Sequence, residues 1–228
     1  MRRSFSIFVI AALGTFTVLT ASAQKSKSFA GTVKISIRYE GNTNPRDHAP
    51  VETVYTILGN KQKVVMPQAS MTQILDGDAV RVTALFDIPG YKSGYRMEKE
   101  EFEEKMERYK YTYTKKGDTM TVCGYLCTRY DVSIYDAEED EETTVILYTT
   151  TEIGENSNIN VFEFPGLTGF PLYRESESKG VKTIVKAVEV KPSKKVKPVD
   201  FLTPSGYKMF PNQMEWIMFI QAAFGGGE

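Results

Sequence analysis

The chain has 228 residues, 28 Lys and Arg against 29 Asp and Glu, one histidine, two cysteines and a formal charge of −1. That near-neutral balance offers no basic surface for nucleic acid. Two cysteines cannot make a disulfide-rich scaffold, and the one imidazole, His48, sits in a polar loop and not at the positioned site that hydrolase triads and most zinc centres need.

The first residues, MRRSFSIFVIAALGTFTVLTASAQ, place Arg2 and Arg3 before an apolar run from Phe5 to Thr20 and end in the small-x-small site Ala21-Ser22-Ala23. This is the pattern of a secretory signal peptide over residues 1–23, cleaved after Ala23, and the run is short and interrupted for a membrane anchor. Cleavage leaves 205 residues and, with Arg2 and Arg3 gone, moves the formal charge from −1 to −3. No cysteine follows the cleavage site to accept a lipid. The expected address is therefore the periplasm or the periphery of the outer membrane, with no transmembrane span after cleavage.

Residues 24–228 read as one β-rich domain. Phe29 to Glu40 alternates Val33, Ile35, Ile37 and Tyr39 with polar residues, as a half-buried strand does. GNTNPRDHAP, 41–50, is a polar loop holding His48, which reads as a solvated side chain. Val51 to Leu58 and Lys61 to Met66 flank Gly59-Asn60 as a hairpin. Met71 to Leu75 and Ala79 to Phe86 flank Asp76-Gly77-Asp78 in the same way. IPGYKSGY reads as a loop, and Met97 to Tyr109 as a short helix with Phe102, Met106 and Tyr109 on one stripe. Strand resumes at Tyr111–Thr114, turns at Lys115–Asp118 and continues through Met120 and Val122.

The stretch from Gly124 to Leu172 carries the strongest β pattern. Thr128 to Ile134 alternates, with Tyr130, Val132 and Ile134 in phase. Thr143 to Ile153 holds Val145, Ile146, Leu147 and Tyr148 without a break, so both of its faces are expected to be covered, as in a central strand. FPGLTGFPL then reads as an irregular apolar lip, since each proline removes a ladder donor. Val181 to Val190 is a further strand, and KPSKKVKP a stiff charged connector. The last element is a helix over 211–224 whose apolar residues surround nearly the whole circumference. It is expected to pack into the mouth of the sheet with Trp216, Phe219 and Ile220 inward, plugging or gating a groove.

Several motifs resemble a known group. The series GYxCxxY (Gly124, Tyr125, Cys127), a YT-T-EI strand (Tyr148, Thr149, Glu152, Ile153), PGLxGFPL (Pro165, Gly166, Leu167, Gly169, Phe170, Pro171, Leu172) and PSGY (Pro204 to Tyr207) resembles a secreted bacterial domain-of-unknown-function family related to the GLPGLI family. Both are similar to the lipoprotein-carrier (LolA-like) half-barrel. Leu147 stands where that pattern expects Trp. The resemblance implies a mainly β (α+β) fold, a curved antiparallel sheet or half-barrel with a few covering helices, and it implies no reaction.

Two side-chain groups invite a chemical reading. Cys123 and Cys127 are the only thiols; a disulfide between them needs a tight turn or bulge at Gly124-Tyr125, because a straight strand would hold their Cα atoms roughly 13 Å apart. The acidic run from Asp136 to Glu142 lacks the Asx and glycine spacing that wraps calcium, and reads as a solvated tip. No catalytic residues, metal site or cofactor are expected. The expectation is a non-enzymatic binding protein holding a lipid or other apolar ligand, with Phe164, Leu167, Phe170, Leu172, Trp216, Phe219 and Ile220 as candidate ligand residues. The alternative is a structural or assembly subunit of the cell envelope that docks a protein partner through its C-terminal helix.

Overall fold

The computed structural model describes residues 28–41, 51–154 and 156–224. The signal-peptide reading of residues 1–23 and the single histidine, His48, lie outside the described residues. Twelve strands form one sheet: β1 Ala30–Gly41, β2 Glu52–Leu58, β3 Lys61–Met66, β4 Met71–Asp76, β5 Arg81–Ile88, β6 Tyr91–Met97, β7 Tyr109–Val122, β8 Tyr125–Asp136, β9 Glu141–Thr150, β10 Phe170–Ser178, β11 Val181–Pro192 and β12 Lys208–Phe210. Helix α1 spans Lys99–Met106 and α2 spans Gln213–Phe224. The sheet order is β12-β6-β5-β4-β3-β2-β1-β11-β10-β9-β8-β7, with every pairing antiparallel except β12 on β6. The mainly β fold with an open, curved sheet and two helices is therefore as the resemblance implies.

The curl follows from one short connection. Eleven strands lie from β6 to β7 in the sheet order, so ten spacings would separate them by roughly 48 Å if the sheet were flat. Only Glu98 to Arg108 joins them. Its eight-residue helix contributes about 12 Å and its three remaining residues about 10 Å, so the sheet must curve until its two ends approach. Helix α1 bridges them and turns Phe102 into the interior.

Glycine and proline conceal two strands. The turn before β6 is confined to Pro89-Gly90, with Gly90 at φ 84°. Ser93 and Gly94 are inside the strand, where a Cβ on Gly94 would meet the Ala84 carbonyl at 2.5 Å. IPGYKSGY is thus strand from Tyr91, and the helix begins at Lys99, two residues after Met97 pairs with Val82. The lip FPGLTGFPL likewise becomes strand at Phe170: Pro171 sits beside the β9–β10 register shift, where a missing donor does little harm. Lys115–Asp118 is no turn, since β7 runs through it and only its register with β8 shifts, between Lys115 and Thr119.

The inner face divides into two regions. Under β7–β9 it is filled by the protein's own side chains: Val132, Val145 and Leu147 are buried against Phe164 and Leu167, and Tyr113 donates to the Pro165 carbonyl at 2.9 Å. β9 lies two strands in from the β7 edge. Its Ile146 and Tyr148 are half-buried, so its outer face is only partly covered, Tyr148 meeting Tyr173 edge-on at 5.8 Å. Under β2–β6 the interior stays open.

The C-terminal segment wraps the β6 margin. The short 3-10 turn Pro198–Phe201 places Phe201 against Ile74 and Leu85 on the outer face. β12 then adds to β6, and α2 returns to the inner face, where Trp216 joins Ala84, Tyr95 and Met97. Asn212 caps α2, its Oδ1 accepting from Glu215 N at 2.9 Å.

A tight approach predicts one mutational cost. Gly77 donates its N–H to the Asn60 carbonyl at 2.9 Å, and a Cβ there would stand 2.1 Å from the Asn158 carbonyl. Gly77→Ala must displace backbone, and is expected to cost about 1–3 kcal/mol in urea melts. Gly117→Ala, with no atom within 4 Å of its added methyl, should stay within about 0.5 kcal/mol. Equal effects would mean the 157–160 turn yields freely.

Candidate functional site

The open part of the interior is a cavity of about 330 Å³. Its walls are inward side chains of the first meander: Ile35 of β1, Tyr55 of β2, Gln62 and Val64 of β3, Gln73 and Leu75 of β4, Val82 of β5 and Met97 of β6. Phe170, Pro171 and Arg174 of β10, Val185 of β11 and Phe102 of α1 complete the wall, and Ile159 to Glu163 bring Ile159, Asn160, Phe162 and Glu163 over it. Strand alternation explains the set: Gln62 and Val64, Gln73 and Leu75 are two apart, so each pair shares a face.

The covering segment is held by buried polar contacts. Gln62 Nε2 donates to the Ile159 carbonyl, and Asn160 Nδ2 donates to the carbonyls of Leu167 and Gly169. Asn158 Nδ2 reaches Asp78 Oδ1 at 3.3 Å, and Phe162 meets Phe102 edge-on at 5.2 Å. These contacts hold the covering segment away from the floor, so the cavity is built into the backbone.

Its electrostatics are sparse. Arg174 Nη1 donates to Glu163 Oε1 at 3.1 Å, with side-chain exposures of 29% and 50%. Glu163 raises the Arg174 guanidinium above its ordinary range. Burial, and secondarily the Glu163 charge, pushes the Tyr55 hydroxyl up, so it remains protonated. Tyr55 packs edge-on against Phe170 at 5.5 Å. The remaining lining is mostly apolar, with amide groups from Gln62, Gln73 and Asn160.

The sequence candidates scatter. Phe170 lines the cavity. Phe164 and Leu167 fill the β7–β9 interior, and Leu172 belongs to the central core with Val33 and Ile57. Trp216, Phe219 and Ile220 share the buried face of α2: Trp216 lies 5.0 Å from Tyr95 and donates from Nε1 to Ser93 Oγ at 3.1 Å, and Phe219 lies 4.8 Å from Phe210. None of the three lines the cavity, so these side chains neither plug nor cap it. Nor is the helix covered all round, for Met214 and Met218 are 69% and 61% exposed.

The two cysteines are free thiols. The tight turn exists, but at Cys123-Gly124, both at positive φ (51° and 86°), as a type I′ hairpin turn requires. Cys123 Sγ donates to the Ala187 carbonyl at 3.3 Å and Cys127 Sγ to the Tyr125 carbonyl at 3.6 Å. Burial in the central core pushes the Cys127 thiol up to about 11. The conditional disulfide is not made because one thiol sits on the turn and the other is buried. In the acidic run, Asp136 takes two hydrogen bonds from Arg108, which hold its carboxyl below the usual range.

Sequence reasoning missed Tyr55, Gln62, Gln73, Glu163 and Arg174. A usable signal was present: Gln62 is in phase with Val64, and Gln73 with Leu75. A polar side chain in the inward register of a strand is the kind of residue that orients a ligand.

The class so defined is a curved, open antiparallel sheet enclosing a mostly apolar cavity. No protein-family model matches the chain, and no curated protein matches it in sequence. Among solved structures it is similar to PNGF-II in its C2 crystal form, with a TM-score of 0.53 and 11% identity over 85% of this chain and 33% of that one. The P21 form gives 0.53 and 12% over 84% and 33%. The chain thus spans a third of PNGF-II, and the likeness is one of fold. An outer membrane lipoprotein-sorting protein domain from Vibrio parahaemolyticus aligns with a TM-score of 0.17 at 8% identity, over 75% of this chain and 87% of that one.

Proposed function

We propose that the protein is a non-enzymatic binding protein that carries a small apolar molecule in the interior of a half-barrel, exported to the periplasm or the outer-membrane periphery. One observation carries this reading: the first meander leaves about 330 Å³ unfilled behind Phe102, Phe162 and Phe170, a volume at the lower end of ordinary ligand sites. An apolar void of that size stays open only where the surrounding backbone is held, and the Gln62 and Asn160 contacts hold it. The motif likeness to the GLPGLI and lipoprotein-carrier groups supports the same reading by analogy. Among the described residues the lining pairs no nucleophile with a general base, and binding fits these residues better than turnover.

Solvent extraction of protein purified from its native envelope, followed by mass spectrometry, is expected to return a stoichiometric apolar compound. Repeated extraction of nothing would overturn carriage. A second reading, an envelope assembly subunit, is favoured by the exposed methionine-rich face of α2, with Met209 beside it. Loss of a stoichiometric partner on deleting residues 211–228, from protein that carries no ligand, would establish it. Among the described residues no helix is long and apolar enough to cross a membrane.

A further inference from the structure

The geometry points to a single-chain amphiphile with a carboxylate head as the occupant of this cavity, its tail along the apolar wall and its head on Arg174 at the mouth, in exchange with Glu163. The inference rests on the reading of the cavity as a ligand site, and adds to it the chemistry of the head.

Among the described residues, Arg174 is the only cation lining the cavity. Its β-sheet neighbours are Leu147 on β9 and Val185 on β11, so the guanidinium rises from an apolar stretch of sheet with its side chain 29% exposed. A planar fork of N–H donors in such surroundings suits a carboxylate better than a neutral head.

Its present partner is a weak hold. Glu163 gives Arg174 one contact, at 3.1 Å, and is half exposed. An ion pair of that exposure contributes little net stability, so a second carboxylate arriving from the cavity side can displace it. Glu163 then swings into water at small cost, and the guanidinium keeps a counter-charge in both states. Tyr55, kept protonated by burial, supplies a hydroxyl donor on the same lining.

The tail has its own site. Val64 of β3, Leu75 of β4, Val82 of β5 and Met97 of β6 carry the apolar lining strand by strand away from β10, and Phe102 of α1 continues it. Burying each additional methylene there should tighten binding about fourfold until the volume is full. A ring-shaped ligand would leave much of that wall uncovered, and a doubly charged anion would bring a second charge that no other described lining residue can pair.

The test is displacement of the neutral fluorophore N-phenylnaphthylamine from the full mature chain by decanoate, dodecanoate and tetradecanoate and by the matching alcohols. Carboxylates are expected to bind about 10- to 100-fold more tightly than alcohols of the same length. Arg174→Gln should erase that preference while leaving fluorophore and dodecanol binding intact. Glu163→Gln, which removes the competing carboxylate, should increase the preference. If Arg174→Gln loses dodecanol as well, the fold is damaged, and Glu163→Gln together with Arg174→Lys, which should retain part of the preference, decides the matter. Equal binding of acids and alcohols to the unaltered protein, or a preference that survives Arg174→Gln, overturns the carboxylate head and leaves apolar carriage standing. Failure of the fluorophore and every amphiphile to bind folded protein overturns carriage itself.

Discussion

Truncating Trp216 to Ala is expected to cost about 3–5 kcal/mol, and to be read first as release of the C-terminal helix. Trp216 is 4% exposed, tilted against Tyr95 at 5.0 Å with its Nε1 on Ser93 Oγ. Ile220 and Phe219 are the other half-buried side chains one turn further on, while Met214, Ile217 and Met218 face water. Trp216 is therefore the most deeply buried described side chain of α2, with Phe219 on Phe210 of β12 and Ile220 packed beside it. Its loss leaves a void over Tyr95 and Met97, the latter a wall of the cavity. Protease susceptibility at 204–213 should rise steeply, because a terminal helix detaches as a local unit. Ligand capacity should fall less, since none of the described α2 side chains lines the cavity. Trp216→Phe, which keeps a ring but drops the hydrogen bond, should cost about 0.5–1.5 kcal/mol. The unaltered protein should emit in the blue and resist iodide quenching, as the only tryptophan is buried. Freely quenched, red-shifted emission would show that α2 is not docked as described.

Leu147→Ala is the second large expectation, at about 2–5 kcal/mol. Leu147 is fully buried between Tyr130 on β8 and Arg174 on β10, in the cluster of Val132, Val145, Phe164 and Leu167. The loss should appear as a lower urea midpoint with an unchanged slope, because the cluster is part of the single sheet. Val145→Ala should fall lower in the same range, as it removes one carbon fewer from the same cluster. A cost below half a kilocalorie for Leu147→Ala would mean that β9 frays at the β7 side. The site bears on the cavity too, since the neighbouring strand position is Arg174. The substitution should therefore also weaken any carboxylate preference, by loosening the sheet under the guanidinium.

Local pattern alone was enough for most of the sheet. Alternation in β1, the Gly59-Asn60 hairpin and the run Val145 to Tyr148 report strands because side chains two residues apart meet the same environment. Helix α2 was legible from its composition, and so was the sheet-facing side of Trp216, Phe219 and Ile220, which share one face at i, i+3 and i+4, with Trp216 buried and the other two half-buried. What composition could not show is that the opposite face, Met214 and Met218, is left in water; apolarity measures the cost of exposure, not whether a neighbour removes it. Strand β6 and the start of β10 were hidden because glycine and proline usually interrupt strands. Here Gly94 admits a close carbonyl, and Pro171 falls beside a register shift that asks for no donor. The cavity was the least legible feature. Phe164 and Leu167 look as ligand-like as Phe170 in sequence, and only the curl of the sheet decides that two of them fill one region while the third faces an empty one. Arg174 and Glu163 are eleven residues apart and carry no motif. Their meeting at the mouth depends on the long-range pairing of β10 with β9 and β11 and on the turn that Asn160 holds, contacts that no local periodicity encodes.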